Sequence, residues 1–335
     1  MSTSLGGMRT VVLGANSFAG AAVIKELLIL GCDVVGISRS PELNKVFRQY
    51  AWQPFSGKYR FVQSDINHHF ELIAATVSEF RPTIFIDLAG QGMVAESWDA
   101  PEQWYLTNIV AKVKLHDHLR QLKCLKLYLR VSTPEVYGSQ NNLQRESWIL
   151  NPSTPYAVSH SAIDMSLRAF NIRYNFPVIF ARFANFYGPG QQLYRIIPRT
   201  IIYCLTKRKL QLHGGGAAVR AFIHGSDVAS ALISTITSGK IGEIYHFSPK
   251  DFLTIKEVVS KITTLMHVDY DELVEIAPDR PSKDQSYLMD TSKAREELGW
   301  APAVDFEAGI AETGLWIKNN LDDIMNLPLH YIHKD

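Results

Sequence analysis

The sequence predicts an α/β fold, a doubly wound parallel sheet followed by a smaller C-terminal lobe. Three observations predict it. Short apolar runs alternate with amphipathic stretches over the first 183 residues. Those runs are continuous and mainly apolar, as strands buried on both faces are. A glycine-bearing turn follows the first run and opens the first helical stretch, which is where a parallel βαβ unit places one. At 335 residues the chain can hold one large unit or two modest ones.

Strands are expected at residues 10–13, 34–38, 61–63, 84–88, 127–132 and 178–183, with helices at 18–30, 70–79, 101–122 and 156–174. Six strands separated by helices match a Rossmann-type sheet. After Asn185 the texture changes. Gly188, Pro189, Gly190 and the run Gly214-Gly215-Gly216 punctuate short elements, and later helices are expected at 255–266 and 291–298. The expected division is a dinucleotide-binding domain over 1–183, rejoined by a segment near 217–247, and a second lobe made of 184–216 and 248–335. The tail, 327–335, is expected on the surface.

Composition narrows the function. The net charge is +1, with 46% hydrophobic and 20% charged residues. That is an ordinary globular balance, with no global attraction to nucleic acid or an anionic membrane. Cys32, Cys124 and Cys204 are odd in number and form no CxxC pair, so neither a disulfide framework nor a metal site is expected. The first eight residues lack the basic and apolar regions of a signal peptide, and no run approaches the length of a membrane span. A cytoplasmic protein is the expectation.

The first candidate site is the turn containing Gly14, Asn16, Ser17, Phe18 and Gly20. Glycines there let backbone amides approach a pyrophosphate, and a helix N-terminus favours its charge. Ser17 stands where a middle glycine is usual. The second strand ends in Ser38 and Arg39 where an acid commonly binds ribose hydroxyls. Serine and arginine suit a 2′-phosphate, so NADP is expected over NAD; the alternative is a solvated loop arginine. Asp65 and Ile66 follow the third strand. They either flank an adenine, or Asp65 caps a helix.

A second candidate site begins with Ser132-Thr133-Pro134-Glu135, at the C-terminal end of a buried strand, where ligands sit in open α/β sheets. A hydroxyl and a carboxylate there suit hydrogen bonding and proton transfer, although a turn or cap would use the same residues. Tyr156 and His160 are four apart and share one helix face. A tyrosine hydroxyl beside a nicotinamide acts as a base once a neighbouring cation lowers its pKa. The plainer reading is a packing tyrosine and a surface histidine.

Taken in order, these pieces resemble an extended short-chain dehydrogenase/reductase of the nucleotide-sugar epimerase/dehydratase family. The series runs from the glycine turn through Leu88-Ala89-Gly90-Gln91 and Ser132-Thr133-Pro134-Glu135-Val136-Tyr137-Gly138 to Tyr156. It continues with Asn185-Phe186-Tyr187-Gly188-Pro189 and Asp279-Arg280-Pro281, and ends at Leu298-Gly299-Trp300. The run from Ser132 to Gly138 most resembles sugar-nucleotide 4,6-dehydratases. The resemblance implies a tightly held nicotinamide dinucleotide in contact with Leu88, Ala89, Gly90, Tyr156 and His160. It also implies Tyr156 as base at the sugar 4-hydroxyl, Thr133 on the same oxygen, and Glu135 at C5.

The same resemblance places Asn185, Arg220 and Arg280 near a nucleotide diphosphate. Arg195 and Arg199 are further candidates, since arginine forks suit phosphate oxygens. Lys283 is another. A homodimer through a four-helix bundle of residues 101–122 and 156–174 is also implied. Two departures stand out: His160 replaces the family lysine, and Pro134 replaces the aspartate that dTDP-glucose dehydratases use as acid. The alternatives are a nucleotide-sugar 4-epimerase or uronate decarboxylase, and a non-catalytic nucleotide-sugar-binding homologue.

Overall fold

The structure, a computed structural model, describes residues 5–139, 142–278 and 286–334. In chain order the strands are β1 (Arg9–Leu13), β2 (Asp33–Ser38), β3 (Lys58–Gln63), β4 (Ile84–Asp87), β5 (Leu127–Ser132), β6 (Val178–Phe183), β7 (Asn185–Tyr187), β8 (Leu210–His213), β9 (Val219–Arg220), β10 (Phe222–His224), β11 (Ile244–Phe247), β12 (Leu253–Thr254) and β13 (Val274–Ala277). The helices include α1 (Phe18–Ile29), α2 (Phe70–Phe80), α3 (Pro101–Tyr105), α4 (Ala111–Leu119), α5 (Pro155–Tyr174), α6 (Ile196–Thr206), α7 (Gly225–Ser238), α8 (Ile255–Met266), α9 (Tyr270–Leu273), α10 (Ser292–Leu298) and α11 (Phe306–Asn319).

Seven strands form one parallel sheet in the order β11-β6-β5-β4-β1-β2-β3. The order reverses between β1 and β4, and ligands bind in the crevice at such a reversal. Two apolar clusters cover the faces of this sheet. One includes Val12, Ile24, Leu27, Ile86 and Leu129, and the other Val11, Phe85, Leu115, Tyr128 and Phe180. Full burial on both sides explains why β4, β5 and β6 read as mainly apolar runs, interrupted by Asp87, Arg130 and Arg182. A third cluster, with Ile197, Ile201, Leu210, Val258, Ile262 and Trp316, packs α6, α8 and α11 together.

Three expectations need correction. The sheet has a seventh strand, β11, supplied by the returning segment near 217–247. Strand β3 begins at Lys58 rather than Phe61, because Lys58 and Arg60 lie on the sheet edge and are exposed. The helix expected over 101–122 is not regular: α3 and α4 are joined by a π-helical turn, Leu106–Val110. Such turns often serve function, and this one carries Asn108 toward the sheet. Helix α8 matches its expected range and opens with a capping box of Thr254 and Glu257.

Among the described residues no helix is long and apolar enough to cross a membrane, and no group of three or more His, Cys, Asp or Glu side chains is placed to hold a metal ion.

Candidate active site

The crevice at the reversal of the sheet is built from backbone. Gly14 has φ +90°, a conformation that penalises any side chain. A Cβ there would meet the Ala89 nitrogen at 2.7 Å, so the loops after β1 and β4 touch only because Gly14 has none. A Cβ on Gly20 would collide with the Gly14 carbonyl. Ser17, at the expected glycine position, is the N-cap of α1: its hydroxyl accepts from the Gly20 amide at 2.9 Å. The Asn16 side-chain amide donates to the carbonyls of Ser40 and Pro41, tying the turn to the loop after β2. Asn16 Oδ1 is buried at this turn with no partner among the described residues. That polar atom and the glycine cradle beside the N-terminus of α1 fit a dinucleotide.

Other expected cofactor residues have additional or different tasks. The Phe18 ring packs on Phe186 and lies over Gly225, where an added Cβ would strike it at 2.6 Å. The Asp65 carboxylate accepts from the Asn67 amide at 2.7 Å and does not cap α2, whose N-cap is His69. Ile66 is buried in the apolar cluster on that side of the sheet. Leu88, Ala89 and Gly90 lead from β4 to Gln91. Its backbone is clasped by Asn108, which accepts from the Gln91 amide at 2.9 Å and donates to its carbonyl at 3.1 Å. Asn108 also donates to Ser159 on α5.

Ser38 and Arg39 are already engaged. The Ser38 hydroxyl accepts from the Asn16 amide at 3.0 Å. Arg39 donates to the Lys334 carbonyl at 3.0 Å and to Gln91. The tail therefore does more than lie on the surface. Gln91 donates to the same Lys334 carbonyl, the Lys334 ammonium donates to Ser40, and the His333 ring stacks flat on Trp104 at 5.5 Å. This ties the chain's end to the loops after β2 and β4, the rim of the crevice.

The chemical groups gather at the ends of β5 and α5. Thr133 caps a short 3-10 turn (Pro134–Tyr137), its hydroxyl accepting from the Glu135 amide. Pro134 opens that turn, where its missing N–H is no loss. Helix α5 starts in the same way, with Thr154 as its N-cap and Pro155 as its first residue, which sets Tyr156 in the first turn. The Thr133 side chain faces the Tyr156 hydroxyl. Burial first, then the Glu135 carboxylate, push the Tyr156 hydroxyl above its ordinary value; the Thr133 side chain, Arg195 and Arg130 pull it back. His160 lies beneath Tyr156, ring centroids 4.5 Å apart, and is buried.

Beneath these groups is a buried ionic cluster that the sequence patterns did not reveal. Lys112 donates to both oxygens of Asp87, at 2.9 and 2.8 Å. Arg130 bridges Asp87 at 3.3 Å and Asp164 at 3.2 Å, and Arg182 also reaches Asp164. Ser132 donates to Asp164 at 2.7 Å. All five ionic side chains are fully buried. Burial raises the Asp87 carboxyl, but Lys112 and Arg130 outweigh it and hold it below its ordinary value. One signal was available: Asp87 and Arg130 each interrupt an otherwise apolar strand.

On the other side of the crevice, Arg195 occupies the N-cap position of α6 and is exposed, with its charge felt at Tyr156. Arg199 lies one turn further along α6 and is half-buried. Asn185 opens β7 and is exposed. Arg220 stacks over the Tyr287 ring at 4.5 Å. Arg280 and Lys283 lie outside the described residues.

A glycine turn at the reversal of a parallel sheet, with threonine, glutamate and tyrosine at the ends of β5 and α5, defines a short-chain dehydrogenase/reductase of the extended kind. The chain belongs to the GDP-mannose 4,6 dehydratase family, whose sequence profile matches residues 11–313. It is 30% identical over 334 residues to a dTDP-glucose 4,6-dehydratase of Neisseria gonorrhoeae, covering 92% of this chain and 95% of that one. It is 32% identical to the Mycolicibacterium smegmatis dTDP-glucose 4,6-dehydratase, covering 93% and 94%. Among solved structures it is similar to DesIV, a dTDP-glucose 4,6-dehydratase from Streptomyces venezuelae with NAD bound, at a TM-score of 0.85 and 27% identity over 94% of this chain and 98% of that one.

Proposed function

We propose that this protein is a nucleotide-sugar 4,6-dehydratase, which converts a nucleoside-diphosphate hexose into its 4-keto-6-deoxy form. The observation that carries this reading is the convergence of Thr133, Glu135 and Tyr156 at the carboxyl end of β5, beside the dinucleotide crevice. A nicotinamide dinucleotide held at the glycine turn of Gly14 and Gly20 would supply hydride acceptance at sugar C4 and hydride return at C6. Tyr156 removes the proton of the 4-hydroxyl, and Thr133 orients that oxygen. Glu135 takes the C5 proton, made acidic by the adjacent ketone, and delivers it to the C6 hydroxyl, which departs as water. Pro134 has no proton to give, so Glu135 serves as base and then as acid. The proton that Tyr156 took from the 4-hydroxyl replaces, directly or through solvent, the one lost from C5, and the net change is loss of one water.

NAD is the proposed cofactor, in place of the NADP expected from Arg39. Ser38 and Arg39 spend hydrogen bonds on Asn16, Gln91 and the tail, and NAD is what the DesIV structure holds. Asn185, Arg195, Arg199 and Arg220 are proposed to face the nucleotide diphosphate, Arg195 lying closest in effect to Tyr156. The third apolar cluster supports the proposed division into a dinucleotide domain and a substrate lobe.

A homodimer is proposed through α4 and α5. Val158, Met165 and Ile172 recur every seven residues along α5 and are exposed, as are Leu106 and Val110 beside α4. Light scattering of Met165→Glu checks this: a mass unchanged from the parent removes the interface.

The reaction is tested by incubating the protein with a panel of nucleotide hexoses and following product mass. Loss of water supports the dehydratase. Unchanged sugar across the panel sinks it, and a product of equal mass or one lighter by carbon dioxide selects an epimerase or decarboxylase. Glu135→Gln spares an epimerase and stops a dehydratase.

A further inference from the structure

The proposed reaction needs Tyr156 as a phenolate, and the histidine four residues on is a weak substitute for a lysine ammonium. The structure places a different cation beside it. Arg130 Nη2 lies 3.0 Å from His160 Nδ1, and both side chains are buried. A guanidinium has donors only and stays protonated. The bond therefore runs from Arg130 to a bare Nδ1, which excludes an imidazolium and leaves the ring proton on Nε2. We infer that Arg130 is the positioning residue of the catalytic helix: it fixes His160 as a neutral Nε2–H donor and carries the positive charge that a lysine at position 160 would bring. This rests on the dehydratase reading only for what the charge is used for.

The surroundings agree. Arg130 is aimed by Asp164 on α5 and Asp87 on β4, which take its Nε and Nη1. Lys112, from α4, sits on Asp87, and Arg182, from β6, on Asp164. Three cations face two carboxylates, so one positive charge is left over with His160 neutral. Burial, followed by the charges of Arg130 and Lys112, holds the His160 imidazole well below its ordinary value, so it does not ionise near neutrality. Burial and then Glu135 raise the Tyr156 hydroxyl, and Arg130 pulls against them from across the imidazole. The charge has thus moved from the catalytic helix to the strand behind it, with the imidazole as the intervening donor. A lysine placed at 160 in this chain would meet the guanidinium head on.

The decisive measurement is a long-range ¹H–¹⁵N correlation of the ¹⁵N-histidine-labelled full chain, with His160 assigned by its loss in His160→Gln. The expected result is a neutral Nε2–H tautomer from about pH 6 to about pH 8. An imidazolium near pH 6, or an Nδ1–H tautomer, overturns the inference. The spectrum decides this whether or not any sugar is turned over, so failure of the dehydratase reading is separately visible. Kinetics give a second readout. His160→Lys alone should lower kcat about tenfold, on the order of 1.4 kcal/mol, because the ammonium set against Arg130 displaces the guanidinium and removes the imidazole donor, with KM for the sugar held. Adding Arg130→Met should recover that loss. A His160→Lys enzyme as active as the parent, or no recovery in a folded double variant, also overturns it.

Discussion

The glycine turn and helix α5 each depart from the pattern that the resemblance implies, and they are repaired in opposite ways. At the turn, Ser17 stands for a glycine, and the repair is local: its hydroxyl caps α1 on an amide three residues ahead. At the helix, His160 stands for a lysine. Its partner Arg130 is thirty residues away, held by an aspartate from yet another strand. A backbone site can be mended by the next turn of chain. Charge in a dry interior must be balanced in space, by whatever elements the fold stacks there.

The contrast predicts that the distant repair is the more brittle. Asp87→Ala leaves Lys112 and Arg130 facing each other without their shared carboxylate. Breaking a buried ion pair costs about 3–5 kcal/mol, and urea denaturation should show a loss of that size. A loss comparable to a surface ion pair would mean the cluster relaxes freely and would erase the contrast.

Acid should expose the same brittleness. Burial above all pulls the imidazoles of His116 and His246 from 6.5 down to about 3. His116 is joined to Asp87 through Tyr128. Because the folded values lie below the unfolded ones, these groups stabilise the fold above pH 6.5, and that stability drains away as pH falls toward 3. The expected slope is about 1.4 kcal/mol per pH unit for each histidine in that window. Urea midpoints against pH should lose roughly that share of slope in His116→Gln; an unaltered slope would exclude His116 from the effect.

The turn should fail by smaller steps. Gly14→Ala forces a side chain into left-handed backbone against Ala89, which costs about 1–3 kcal/mol and should release the dinucleotide. Calorimetry with NAD checks both. Smallest is Ser17→Ala, where loss of the cap should cost about 1 kcal/mol, and Ser17→Gly only a few tenths. Equal thermal midpoints for Ser17→Ala and the parent would show that the cap contributes nothing.

How far the fold was legible follows from the same distinction. Strands β1, β2, β4, β5 and β6 were placed to within a residue or so, because burial on both faces writes itself as an apolar run. Edge strand β3 read short, since Lys58 and Arg60 point to solvent. The π turn at Leu106–Val110 left no local trace; it is explained by the Asn108 side chain reaching Gln91 and Ser159. Thr133, Glu135 and Tyr156 stood out because they lie in short runs, at a strand end and a helix start, that resemble those of a known family. Arg130, Lys112 and Asp164 were not, since a single charge in an apolar stretch does not announce its partner.

By itself the sequence determined the parallel sheet, the glycine cradle and the identities of the groups at the ends of β5 and α5, all of which depend on residues close together in the chain. Tertiary structure alone decided three things: that Arg130 stands behind His160, that Asp87 and Asp164 hold it there, and that Lys334 takes the arginine expected to read the cofactor. Charges and hydrogen bonds act through space, and only the folded chain sets which of them are within about 3 Å of one another.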